Sequence, residues 1–333
     1  MKDSLRHYKS IDLARLMCAC LVVFIHMGLD GSVAFIPCFT RQAVPFFFLV
    51  SGFFFTKNAE KANDFKRFAV SYIKPVLLVY LCWVLFWLPY YARETLINYS
   101  DRSAYYSVAV LLRRIFLAGI APYWYLLVLT EGSAILSVLL NKKAYKTGWF
   151  LAIVGLILMI IYELHFKSGF GALVYKLFYL VFSWSCNVIM SGFPLLFLGS
   201  FIARHETTIS SRVQWPLILI YIAVVVFSFV IYSKFESLFG IPVGIIEAVL
   251  LFLICLIPSR LEEVIPIRLC RSFRNVSSVI FLTHTAFLTV LGEVFNIWGT
   301  AARFTIAFIG AIILTCLIKA INWKPLNKLF MIR

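Results

Sequence analysis

The stretch SIDLARLMCACLVVFIHMG, residues 10–28, decides how the rest of the chain is read. Its length and apolar character suit a single helix through hydrocarbon, which takes about 20 residues, yet its body carries Arg15 and His26. A guanidinium and an imidazole are costly at that depth, so their placement alone makes both functional candidates. His26 lies eleven positions after Arg15. At about 100° and about 1.5 Å per helical residue, that spacing brings both to one helix face about 16 Å apart. One face of the first helix thus presents a cation and a base.

The rest of the chain repeats the apolar theme. Across 333 residues, 62% are hydrophobic, 14% are charged and the mean hydropathy is +0.93, well beyond the range of soluble domains. The expected fold is an all-α polytopic transmembrane helical bundle of about ten spans, forming one integral-membrane domain over residues 1–333. Such long apolar runs argue against a transmembrane β-barrel. The predicted spans are 10–29, 41–57, 69–91, 122–140, 147–164, 186–203, 214–233, 240–258, 273–294 and 301–320. The first reads as a retained span rather than a signal peptide, because charged and titratable groups interrupt it and no small-residue cleavage site follows.

The net charge of +16 follows membrane topology rather than forming a nucleic-acid groove. Lys2, Arg6 and Lys9, then Lys57, Lys61, Lys66 and Arg67, then Lys142, Lys143 and Lys146 fall on one side of the predicted spans. Arg204, Arg212, Arg260, Arg268, Arg271, Arg274, Lys319, Lys324, Lys328 and Arg333 join them. The positive-inside rule then places both termini in the cytoplasm. Two segments fit this scheme less well: 92–121, with Arg93, Arg102, Arg113 and Arg114, reads as an interfacial helix that covers a site, and 166–185, interrupted by Lys176, as an interfacial, re-entrant or extra spanning piece. The eight cysteines, Cys38 among them, form no CxxC pair and read as apolar filler, with no metal site expected.

As a neutral imidazole, His26 can take the proton of a hydroxyl that attacks an acyl carbonyl; its bland alternative is a hydrogen bond to a neighbouring helix or to headgroup water. Asp12, three residues before Arg15, can pair with it along the helix. Arg15, permanently charged and forked, suits phosphate or carboxylate. In RQAVPFFFLVSGFFF, residues 41–55, Arg41 can bind an acceptor anion or snorkel, and Ser51-Gly52 reads as helix packing. Arg67 and Lys74 rise along the third span and, with Arg15, suit the phosphates of a nucleotide-linked acyl donor. Glu131 in the fourth span pairs with a base or ends a polar channel, whereas His284, in SSVIFLTHTAFL, reads as an interhelical hydrogen-bonding group. His7, His165 and His205, in loops or at span ends, receive no assignment.

These residues carry a family resemblance. The R-x10-H spacing of RLMCACLVVFIH with Asp12 before it, VPFFFLVSGFFF, YWYLL at 123–127 with Trp124, FPLLFLGSFIA at 193–203 and SSVIFLTHTAFL at 277–288 together resemble the bacterial acyltransferase type 3 family. The chain is similar to its stand-alone form, as in enterobacterial-antigen O-acetyltransferases. The resemblance implies a ten-helix protein of the bacterial inner membrane that moves an acyl group, most often acetyl from acetyl-CoA, onto a hydroxyl of a glycan or lipid-linked sugar. By the motif match, His26 would be the catalytic residue and Arg15 its essential partner. Asp12, Arg41, Glu131 and Trp124 are the expected substrate-binding residues, and Arg67 and Lys74 the donor-binding ones. Where family members show R-x-x-R before the third span, this chain has FKRFAVSYIKP.

The expected partners are therefore acyl-CoA, a glycan or lipid-linked sugar, and the bilayer, with no nucleic acid. A different class stays open: a transporter of a small polar solute such as an amino acid, or a glycolipid flippase, in which Arg15, His26 and Glu131 form the path. The family resemblance also includes membrane domains fused to amino-acid racemases. No paired broken helices or inverted repeat, the usual marks of a transporter, stand out in the sequence.

Overall fold

The computed structural model describes residues 8–27, 39–164, 168–206, 213–235, 240–258, 261–297 and 299–332. Lys2, Arg6, His7, Cys38, His165, Arg212, Arg260 and Arg333 lie outside the described residues. Among the described residues all regular structure is helical. The helices are α1 Lys9–Ile25, α2 Ala43–Ala59, α3 Phe65–Asn98, α4 Ala104–Arg113, α5 Trp124–Asn141, α6 Tyr145–Glu163, α7 Gly169–Phe182, α8 Phe193–His205, α9 Gln214–Phe235, α10 Gly240–Leu256, α11 Ile267–Thr289, α12 Thr300–Ile321 and α13 Lys324–Leu329, besides one short turn at Leu261–Val264. Wider π turns run through Arg114–Ala118 after α4, Val188–Gly192 before α8 and Val290–Val294 after α11.

Among the described residues, six helical stretches are long and apolar enough to cross a membrane: α3, α5, α6, α8 with its leading turn, α11 with its trailing turn, and α12. Shorter apolar helices cover 43–59, 169–182, 214–230 and 241–256. The largest departure from the sequence expectation is α3, whose 34 residues extend past the predicted 69–91 at both ends. Asp64 sets its start by accepting the Arg67 backbone N–H at 3.0 Å, the ordinary remedy for the unpaired donors of a first turn. Pro75 and Pro89 lie inside it without ending it.

The segment 92–121 therefore begins as the end of α3. It continues as α4, capped by the Ser103 side chain accepting from Tyr106 N–H, with Ser107 and Val110 buried and Tyr105, Val108 and Leu112 exposed. Arg114 pairs with Glu94 at 3.3 Å, and Arg113 donates to the Leu180 carbonyl at 2.7 Å. The segment 166–185 holds α7, whose 14 residues extend about 21 Å, short of a full crossing.

The helices group into two compact units: residues 1–50 with 205–333, and residues 51–204. In the first, α1 packs chiefly on α11, α11 on α12, and α9 on α10. Buried Ile11, Ala14, Cys18, Ala19, Val22 and Val23 form one stripe of α1, and its small members allow another helix to approach closely. The far end of α1 is held by α12. Arg303, 8% exposed, donates from Nη1 to the Met27 carbonyl at 3.1 Å, and Phe24 stacks on Phe304 with ring centroids 4.5 Å apart. A cation there meets both an unpaired carbonyl and the negative end of the helix dipole.

In the second unit, α3 packs on α5, and α5 and α6 both pack on the turn 188–192. Asn187 caps that turn, accepting from the Ile189 and Met190 N–H groups at 3.0 Å each. Trp83 stacks on fully buried Tyr123 at 5.3 Å, and Trp87 donates to the Tyr123 hydroxyl at 2.9 Å. Ser51 and Tyr125 hydroxyls meet at 3.2 Å, and Thr56 donates to Ser200 at 2.7 Å. Beside them Gly52 lies against α8: a Cβ there would stand 2.0 Å from the Leu196 carbonyl oxygen.

Substitutions at Gly52 and Arg303, with their controls, test this packing in detergent-solubilised protein. Gly52→Ala is expected to lower the unfolding temperature by several degrees, since overpacking against backbone costs about 1–3 kcal/mol. Gly299→Ala, whose added methyl meets nothing within 4 Å, leaves it unchanged. Arg303→Met removes the donor on Met27 and is expected to cost about 1.5–3 kcal/mol, the range for a hydrogen bond to a charged group, with Arg303→Lys recovering part of the loss. Equal unfolding temperatures for wild type and Arg303→Met would refute the capping role.

Candidate functional site

The site is built on α1 and α11, the most extensively paired helices of the first unit. α1 ends at His26, whose backbone N–H donates to the Val23 carbonyl at 3.1 Å and closes the last turn. Its half-buried ring therefore leaves the helix at the last turn. There it meets His284 of α11, with ring centroids 5.1 Å apart and the rings tilted by 41°.

His284 is 1% exposed. Its Nδ1 lies 3.0 Å from the Ile280 carbonyl and 2.9 Å from the Phe281 carbonyl, both on its own helix. Carbonyl oxygens only accept, so Nδ1 carries the hydrogen, and the neutral ring then holds its lone pair on Nε2. Nε2 is buried without a hydrogen-bond partner among the described residues.

The other end of the same helix pair is ionic. Asp12, with its side chain 13% exposed, faces two guanidiniums: Arg15 Nη1 at 3.9 Å from Oδ1 and Arg274 Nε at 3.4 Å from Oδ2. Lys9 donates to the Glu262 carbonyl, and the Tyr8 hydroxyl donates to Glu206 at 2.6 Å. Asp12 thus joins α1 to α11 at one end as the histidines do at the other, and the two helices run parallel. Arg274 precedes His284 by ten positions, about 15 Å of helix, against about 16 Å from Arg15 to His26. Two adjacent columns result, each with an arginine at one level and a histidine at the other.

The remaining sequence candidates fall elsewhere. Arg41 is exposed just before α2. Arg67 and Lys74 are exposed on α3, two turns apart, in the second unit. Glu131 is half-buried on α5 with Tyr80 as its electrostatic neighbour. Trp124 is the first residue of α5. It packs so tightly on Gly119, whose φ is +73°, that a Cβ on Gly119 would lie 2.4 Å from the Trp124 Cα.

Sequence reasoning passed over three polar groups of the first unit. Arg274 looked like a topology marker, though its spacing to His284 nearly repeats that of Arg15 to His26. Arg303 sits three residues into a predicted span, the signal that singled out Arg15. Glu247 of α10 is 0% exposed, beside Ser228 of α9, with neither carboxylate oxygen in hydrogen-bonding geometry.

Two curated relatives are a serine/alanine racemase of Enterococcus gallinarum, 31% identical over 153 residues covering 43% of this chain and 21% of that protein, and an amino-acid racemase of Enterococcus faecalis, 31% identical over 160 residues covering 44% and 20%. The alignments thus span about a fifth of the length of these relatives. No solved structure matches the chain significantly. A family model described as an acyltransferase domain matches residues 8–320, from the first residue of the ionic cluster to the end of α12, and the chain therefore belongs to the acyltransferase 3 family of membrane proteins.

Proposed function

We propose that the protein is a membrane O-acyltransferase that moves an acyl group, acetyl from acetyl-CoA, onto a hydroxyl of a cell-surface glycan or lipid-linked sugar. The observation that carries this reading is the half-buried His26 ring at the end of α1, beside a buried histidine and about 16 Å from the Arg15–Asp12–Arg274 cluster. Family membership supports acyl transfer, and the basic residues clustered at the span ends support a multi-pass protein of the bacterial inner membrane with both termini in the cytoplasm.

In this mechanism the acceptor hydroxyl attacks the thioester carbonyl carbon while His26 takes its proton. The tetrahedral intermediate collapses, the carbon–sulfur bond breaks, and the leaving CoA thiolate receives the proton from His26. The products are an ester and free CoA thiol, and the histidine returns neutral. Arg15 serves the donor anion through charge-assisted contacts with its phosphates. The distance from the arginine level to the histidine level matches the reach of an extended pantetheine arm, which lets a thioester stand at His26 while its phosphates stay at the ionic end. Asp12 orients Arg15. Arg41, Glu131 and Trp124 are the proposed acceptor-binding groups.

The racemase relatives favour a second reading, passage of a small amino acid through the membrane. One experiment separates the two. Membranes holding wild type or His26→Ala are given radiolabelled acetyl-CoA, and label is followed into surface glycans and lipid-linked sugars. Transfer by the wild type is expected to fall at least about 100-fold in the variant, the scale of a lost general base. Undiminished transfer by a folded His26→Ala would remove His26 from the chemistry. Absence of transfer from both, with uptake of labelled serine into wild-type proteoliposomes, would replace the first reading by the second.

A further inference from the structure

We infer that His284 is the positioning residue of this site, a neutral histidine whose buried Nε2 fixes the tautomer and orientation of the His26 ring. The argument begins with the backbone of α11. With Ile280 and Phe281 carbonyls holding its Nδ1, the His284 ring cannot turn over without burying an N–H opposite nothing and a lone pair opposite two oxygens. Its acceptor is therefore set by the helix itself.

That acceptor is enclosed, 1% exposed as a residue, with no partner among the described residues. The neighbouring ring is that of His26, at 5.1 Å between centroids. In the proposed arrangement, rotation about the broad terminal torsion of His26 turns a ring N–H toward Nε2. Arg303 of α12 offers only donors and is engaged with the Met27 carbonyl. Phe281 offers its ring to His284 at 6.3 Å between centroids, and Phe304 stacks on Phe24. His284 is the acceptor placed against the ring.

The consequence is a choice of tautomer. A neutral imidazole has one N–H and one lone pair. With its N–H turned to His284, His26 keeps the lone pair on its opposite nitrogen, the state a general base needs before it takes a proton. When His26 becomes imidazolium, the hydrogen bond to His284 persists and strengthens. The arrangement parallels the use of a carboxylate to orient a catalytic histidine, with a neutral ring in the carboxylate's place.

The inference rests on the acyl-transfer reading for its kinetic consequence only, and its structural consequence is measured without any substrate. The chain has five histidines, few enough for imidazole nitrogens to be assigned by NMR in uniformly 15N-histidine-labelled protein, with His26→Ala identifying the His26 signals. In the wild type, the two His26 nitrogens are expected to give the widely separated shifts of one tautomer. In His284→Phe, which keeps a ring and loses the acceptor, they should converge toward the average of two. His284→Gln, which returns an acceptor near the ε position, should restore the separation.

In transfer assays His284→Phe is expected to lower kcat by about tenfold, the loss that one hydrogen bond to a developing imidazolium accounts for. KM for acetyl-CoA should stay within twofold, and His284→Gln should recover most of the rate. A single His26 tautomer in His284→Phe would overturn the inference whatever the activity. The tautomer effect without acetyl transfer by the wild type would uphold the positioning and reject the enzymatic reading. Equal losses in the Phe and Gln variants, with the tautomer unchanged in both, would reduce His284 to packing.

Discussion

An ionised side chain in hydrocarbon costs about 2.5–3.5 kcal/mol at a helix centre even on lenient insertion scales, and that cost organises the first unit. Arg15 and Arg274 share one carboxylate, Asp12, near the start of α1. Arg303 is spent on the carbonyl that α1 leaves open at its other end. Between the two levels the buried face of α1 is apolar, with Cys18, Ala19, Val22 and Val23. Asp12, Arg15, Arg274 and Arg303 thus find their partners at the ends of α1, and no charged group lies at mid-depth on its buried stripe. Because α1 and α11 are tied at both levels, a slide of one helical turn, about 5.4 Å, would separate Asp12 from Arg274 and His26 from His284 together. The parallel register of this pair positions everything that the site does.

The ionic contacts themselves are modest in energy. Arg274 is 41% exposed and Arg15 25%, so the pairs are screened and contribute on the scale of surface salt bridges, up to about 1 kcal/mol. Their larger effect is directional. Asp12 sits in the first turn of α1, where the helix dipole already favours a negative charge, and it holds two long cationic side chains near one place. An anion that arrives there meets guanidiniums already gathered. This ordering is of more use to binding than to folding, since the entropy of aligning the side chains is lost before the ligand comes.

Much of the fold was legible in hydropathy alone, because a helix in lipid must satisfy its own backbone and so announces itself as a long apolar run. Helices occupy the predicted stretches throughout the described residues. What hydropathy left out were the ends and the short pieces. Asp64 starts α3 several residues early through a local cap, Asn187 opens the turn before α8, and α7 is helical without the length of a span. Arg15 and His26 stood out in the sequence because charge is conspicuous inside a span. His284 was visible, yet its role depends on a partner 258 positions away in the chain, and periodicity within one helix says nothing about which helix lies beside it. Arg303 and Glu247 met the same criterion as Arg15 and were passed over. Their neighbours come from other helices.

The chemistry of the histidine level follows from the same economy of charge. A carboxylate that orients a histidine must itself be ionised, and at the end of an apolar helix pair it would require a cation as well. The chain keeps Asp12 where two guanidiniums are available. At the His26 level it uses a neutral ring whose hydrogen-bonding sense is fixed by two carbonyls of its own helix. The arrangement asks for no buried charge before reaction and admits only one, the imidazolium, during it. In the proposed mechanism it also keeps the donor-binding charge and the proton transfer about three helical turns apart on the same two helices. The proposed acyl donor, whose anionic end and reactive end are joined by a long flexible arm, fits that separation.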